Sequence, residues 1–120
     1  MTAGEINAIA SGGLIDIGAH SKTHASLPNC PPADQRHEIE ESRRALEEIV
    51  HRPVTSFSYP YGEHDTSTLS YVRDAGYTGA CTIHNKTVRG NANALALPRF
   101  TVLDWDGDAF AEQLARFSHR

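Results

Sequence analysis

His20 and His24 stand four residues apart, directly after the apolar run Leu14-Ile15-Asp16-Ile17-Gly18-Ala19. Imidazole is the commonest side-chain ligand for zinc, and two ligands carried by one short segment lower the ordering cost of a third. The pair therefore reads as half of an open metal site, a type with three protein ligands and a fourth position left for water. The competing reading is two surface histidines near a helix start.

A second candidate is Phe57-Ser58-Tyr59-Pro60-Tyr61-Gly62, a strand that runs into a proline turn whose glycine can take a positive φ. A turn of this kind aims backbone N–H groups at the end of its strand, as a developing oxyanion requires. Taken alone, Pro-Tyr-Gly is simply a turn.

The elements that must position these residues follow from periodicity. Ala3 to Ser11 reads as a short helix stopped by Gly12-Gly13, and Leu14 to Ala19 as a buried strand that delivers His20 at its carboxyl end. Ala33 to Arg52 carries an apolar stripe of Ile39, Leu46, Ile49 and Val50 and is ended by Pro53. Val54 to Tyr59 reads as the second strand. Asp65 or Thr66 caps a helix through Ala75 that Gly76 stops, and Tyr77 to Ile83 is the third strand. Leu97 to Leu103 reads as a fourth, interrupted by Pro98, and Ala109 to Phe117 as a last helix capped by Asp108.

Helices and strands alternate throughout, which predicts an α/β fold of about four parallel strands with helical crossovers. Four strands are too few to close an eight-stranded barrel, so the pattern fits a small open sheet or part of a barrel.

The chain has 120 residues, 39% hydrophobic and 22% charged, and reads as one domain over residues 1–120. A net charge of -4 without long charge runs gives no footprint for nucleic acid or an anionic membrane. Cys30 and Cys81 are far apart and read as free thiols. No stretch approaches the ~20 apolar residues of a membrane span, and no signal peptide is visible. The chain as it stands reads as cytoplasmic, or as cell-envelope or secreted if a missing amino terminus carried a signal.

Together the two candidate segments resemble the polysaccharide deacetylases, the NodB-like domains of carbohydrate esterase family four. Ile17 to Leu27 is similar to that family's His-(Ser/Thr)-x-x-His zinc motif, and Phe57 to Gly62 to its Pro-Tyr-Gly motif in the Tyr-Pro-Tyr-Gly variant. Ala75-Gly76-Tyr77 and Leu97-Pro98-Arg99-Phe100 also sit where the family has similar words. The resemblance implies a distorted (β/α) barrel and metal-dependent hydrolysis of N-acetyl groups on a glycan. It makes His20 and His24 ligands of Zn2+ or another divalent metal, and the Tyr61 backbone N–H an oxyanion donor.

The chain departs from that family in three places. It has no Asp-Asp pair, which in the family provides a third ligand and the catalytic base, so it resembles a domain whose amino-terminal part is absent. Asp16 cannot replace it, because four residues of strand at about 3.3 Å each hold it ~13 Å from His20. Glu63, His64 and Asp65 are the candidates for a substitute ligand. Ser58 replaces the arginine that many members place before Pro-Tyr-Gly, and the late Leu-x-His motif has no clear counterpart: the late His119 follows a predicted helix and reads as exposed, which leaves the proton donor unassigned with His84, at the end of a predicted strand, as the candidate. The expected partner is an N-acetylated glycan, with impaired catalysis. The alternative is a non-catalytic glycan- or partner-binding remnant, or a homo-oligomer whose neighbouring chain completes the site.

An EF-hand reading of Asp104 to Asp108 fails, because Ala109 and Ala115 occupy the positions that need glycine and glutamate. That segment reads as a turn and a helix cap.

Overall fold

The structure is a computed structural model that describes residues 1–118. Helix α1 spans Ala3–Ser11 and opens on a capping box in which Thr2 accepts from Glu5 N and the Glu5 carboxylate accepts from Thr2 N. Helix α2 spans Pro32–Val50, with proline in its first turn, where a missing N–H costs nothing. It ends on His51 in the left-handed region rather than running on to Arg52 and Pro53.

Strand β1 (Ser56–Ser58) pairs in parallel with β2 (Gly79–Cys81), in the register Ser56 to Gly79, Phe57 to Ala80 and Ser58 to Cys81. Helix α3 (Thr66–Asp74) makes the crossover between them, with Asp65 as its N-cap. Two parallel bridges extend the sheet outward, Ala19 to Phe57 on one side and Cys81 to Leu97 on the other. Four parallel segments thus lie in chain order, which is the arrangement of a partial (β/α) barrel.

All four predicted strands are shorter than their apolar runs. Leu14 is 96% exposed, and among the described residues only Ala19 of the Leu14–Ala19 run bridges a neighbour, Phe57 on one side. Leu97 bridges, but Pro98 supplies no N–H to continue the ladder, and Val102 and Leu103 are exposed.

Alternation along the sheet separates two faces. Ala19, Phe57 and Ala80 are buried in the core with Ile39, Val54, Val72 and Tyr77. Gly18, Ser56, Ser58, Gly79 and Cys81 project the other way and leave a face of small and polar residues. The helix side also buries polar atoms, each of them paired. Gln35 donates to Cys30 O at 3.1 Å and accepts from the Thr68 hydroxyl at 2.9 Å, and the Tyr77 phenol donates to Ile39 O at 3.0 Å. Burial raises both the Tyr59 and the Tyr77 phenol above their usual range, so both remain donors at ordinary pH.

Helix α4 runs Gly107–Phe117. Its cap is Asp106, which accepts from Ala109 N at 2.8 Å, and not the expected Asp108, which sits in the first turn where a carboxylate favours the helix dipole. None of its residues is fully buried, though Phe117 stacks on Phe100 with ring centroids 3.9 Å apart.

Candidate functional site

The loops after the first two strand segments bring His20, His24 and Tyr61 together. The His20 and His24 rings lie 4.7 Å apart edge to face, and His24 meets the Tyr61 ring at the same centroid distance. His20 Nδ1 lies 2.6 Å from Ser58 O. A carbonyl can only accept, so Nδ1 carries the proton and Nε2 presents its lone pair. A backbone carbonyl on the other ring nitrogen is how ligating histidines are usually oriented.

The turn between the histidines is held at several points. Ser21 and His24 both have left-handed φ, 62° and 59°, a conformation that costs of order 1–3 kcal/mol at a non-glycine residue and persists only where the surroundings enforce it. The Ser21 hydroxyl accepts from His24 N at 2.9 Å, and the Glu38 carboxylate on α2 accepts from the N–H and hydroxyl of Thr23, both at 2.8 Å. Partial desolvation would raise the Glu38 pKa, but the bonds from Thr23 and the neighbouring Lys22 outweigh it and hold the carboxyl below its ordinary 4.5.

A pH dependence follows from that depressed carboxyl. The stabilisation it gives is fully present above its unfolded-state value and is lost as pH falls through the lower folded-state value. Urea melts of wild type and Glu38→Gln are therefore expected to differ at pH 7 and to converge as pH drops below about 4. A difference unchanged at pH 3 would contradict this.

The second turn, Pro60–Gly62, places Tyr61 at φ 59° and Gly62 at φ 71°. The Tyr61 N–H has no intramolecular acceptor among the described residues, while the next two amides close the turn onto Tyr59 O and Pro60 O. A Cβ on Gly62 would run into the Ile83 side chain and approach the Ile83 nitrogen to 3.2 Å. Gly62→Ala is thus expected to cost about 2 kcal/mol or more in a urea melt, from strain and clash together. An unshifted midpoint would show that the turn relaxes freely.

The candidates for a third ligand are engaged elsewhere. Glu63 accepts from the Ser26 hydroxyl, Asp65 caps α3 by accepting from Thr68 N at 2.8 Å, and His64 Nδ1 lies 3.0 Å from Gly62 O. His64 and Asp65 are held by their own local turn and Glu63 by the loop that follows His24, and none joins the pair. Among the described residues no three His, Cys, Asp or Glu side chains gather as a metal-binding group. Asp16 lies 3.6 Å from Arg52. His84 lines a different cleft with Asn29, Glu63 and His64, its ring 6.3 Å from that of His64. His119 lies outside the described residues.

Sequence reasoning missed two features. Glu38 was hidden among helix charges. Arg99 reaches Ser58 Oγ at 3.0 Å, and the available signal was that it is the one charged side chain between Ala94 and Val102.

Parallel strand segments in chain order, with the two candidate turns at their carboxyl ends, define a portion of a (β/α) barrel, a fold whose sites lie at that end. The polysaccharide deacetylase family model matches residues 1–80, and the chain belongs to that family. YxkH of Bacillus subtilis (strain 168), whose name assigns it to the polysaccharide deacetylases, is 27% identical over 88 residues, which is 73% of this chain and 32% of that protein. BA0330 of Bacillus anthracis, assigned to the same class, superposes with TM-score 0.84 at 23% identity over 98% of this chain and 36% of its own. The Bacillus cereus polysaccharide deacetylase BC0361 does so with TM-score 0.82 at 23% identity, over 95% of this chain and 36% of that one. The chain spans about a third of the length of these relatives. No helix among the described residues is long and apolar enough to cross a membrane.

Proposed function

We propose that this chain carries the two-histidine arm and the oxyanion turn of a metal-dependent deacetylase that hydrolyses acetamido groups on an N-acetylated polysaccharide. The observation that supports the reading best is the bond between His20 Nδ1 and Ser58 O, which leaves Nε2 as the free lone pair beside His24. Two imidazoles suit zinc or a similar divalent ion, and they fit as part of a ligand set rather than the whole of it. When bound, such an ion polarises the acetyl carbonyl and lowers the pKa of its water to about 7.

The chain's own residues do the rest of the work assigned here. His20 and His24 hold the ion, with the His20 ring fixed by Ser58 and the His24 ring wedged against Tyr61. The unpaired Tyr61 N–H donates to the oxygen that gains charge as the carbonyl carbon becomes tetrahedral.

The described residues supply two ligands and no positioned base, and a general base is worth roughly 10²–10⁴-fold. With zinc added, the 120-residue chain is therefore expected to release acetate from a chitin oligomer at background rate. Zinc is nevertheless expected to shift the His20 and His24 ring resonances. Rings unmoved at millimolar zinc would sink the proposal. Oligomer binding without any zinc response would favour the second reading, a glycan-binding remnant, for which the incomplete ligand set speaks.

A further inference from the structure

On the far side of the Pro-Tyr-Gly turn from His20 and His24 lies a second pair of imidazoles, His64 and His84. We propose that this pair binds a divalent ion of tetragonal preference, nickel(II) or copper(II), as a clamp between the loops that follow β1 and β2. Both rings line a cleft of about 530 Å³ together with Asn29, Gly62 and Glu63.

The protonation of each ring follows from its hydrogen-bond partner. His64 Nδ1 lies 3.0 Å from Gly62 O, and a carbonyl can only accept, so Nδ1 carries the proton. His84 Nδ1 lies 3.2 Å from Thr82 Oγ1, whose one proton is donated to Leu97 O at 3.2 Å, so here too the imidazole is the donor. Both rings therefore keep their lone pair on Nε2, the neutral form that ligates a metal. Both are also steadied from behind, as ligating histidines are. Thr82 is fully buried, and the His64 ring lies over the buried Tyr59 ring with centroids 4.9 Å apart and planes 30° apart.

The spacing of the rings sets the kind of ion. An ion about 2 Å from each nitrogen, with about 1 Å more to each ring centre, holds two imidazoles roughly 5 Å apart at a tetrahedral angle and roughly 6 Å apart when they stand opposite each other. His20 and His24, at 4.7 Å, are close to the first spacing, whereas His64 and His84 lie 6.3 Å apart and match the second. Opposed nitrogens belong to tetragonal N,O sites, the geometry of copper(II) and nickel(II). Water completes such a shell, and the Glu63 carboxylate on the cleft wall favours a cation there.

The turn joins the two pairs. Tyr61 packs against His24, and the carbonyl of the next residue, Gly62, orients His64. An ion on His64 and His84 thus ties this turn to the segment beyond β2.

The test is a nickel titration of the 120-residue chain carrying His20→Ala and His24→Ala, followed by calorimetry and by paramagnetic broadening of the histidine ring resonances. Saturable binding is expected, with His64 and His84 broadened first and His37 and His51 last. Adding His84→Ala, which truncates an exposed ring, should weaken nickel binding about tenfold or more, and His64→Gln should do the same. His37→Ala should change nothing. Zinc should bind the pair about tenfold more weakly than nickel. With nickel bound, amide exchange should slow at Gly62 and Glu63, whose N–H groups close the turn onto Tyr59 O and Pro60 O. Nickel affinity unchanged by both His84→Ala and His64→Gln, or broadening centred on other histidines, overturns the proposal, and zinc bound as tightly as nickel overturns the tetragonal assignment. Because His20 and His24 are replaced throughout, none of these outcomes bears on the deacetylase reading.

Discussion

Replacing His24 with alanine is expected to lower the affinity of the chain for zinc by about a hundredfold or more, read by calorimetry or by cobalt absorption as a surrogate. Removing only an outer partner of a ligand commonly costs 10–100-fold, and here one of two inner ligands would go. The loss should be local. His24 sits exposed at φ 59° with its ring against His20 and Tyr61, and the turn is held by Glu38, Ser21 and Ser58 rather than by the imidazole. The melting midpoint should therefore hardly move while metal binding collapses. His20→Ala should cost as much in affinity, and His37→Ala almost nothing, because His37 lies on α2 with its Nε2 3.2 Å from the Lys22 amine. Equal zinc affinity in wild type and His24→Ala would mean that the ion binds among the other histidines.

The helices and the two candidate turns were legible because their causes are local. Asp65 as a cap, the histidine spacing and the proline turn depend on neighbours within a few residues, so the sequence carries them directly. Strand extents were not legible for the opposite reason. Leu14 and Val102 are as apolar as Phe57, yet only Phe57 has a parallel neighbour on both sides, and pairing is decided by what lies next to a strand in space. The missing third ligand follows the same division. Glu63, His64 and Asp65 lie at promising numbers, but His64 and Asp65 are taken by Gly62 and Thr68 within their own turn, and Glu63 by Ser26, 37 residues away, a contact that no local pattern encodes. Arg99 crosses the sheet to Ser58, a contact of 41 residues' separation that no local pattern encodes.

The largest expected loss of stability comes from Arg43→Ala. This arginine on α2 donates through Nε to Val54 O at 2.9 Å and through Nη1 to Ala75 O at 2.5 Å, and Nε lies 2.6 Å from Glu47. It thereby ties α2 to the start of the second strand segment and to the end of α3. Gly76, at φ 94°, exposes its bare Cα to the guanidinium, where a Cβ would collide with it. The contact of α2 with the end of α3 is therefore built around this side chain, while Gln35 with Thr68 and Arg36 over Tyr71 join the rest of the two helices. Truncation leaves two part-buried carbonyls without donors and opens a gap beside Tyr77, whose ring centroid lies 5.8 Å from Arg43 Cζ. A bond from a charged donor contributes about 1.5–3 kcal/mol, and an orphaned carbonyl costs a comparable amount, so a loss of about 3 kcal/mol is expected in urea melts. Lysine has a point charge and no fork, and reaches one carbonyl at a time, so Arg43→Lys should recover less than half of that. Glu47→Gln should cost under about 1 kcal/mol, since a partly exposed ion pair gives little beyond the hydrogen bonds. If Arg43→Lys were as stable as wild type, charge alone would account for the contact and the bridging of two carbonyls would be incidental.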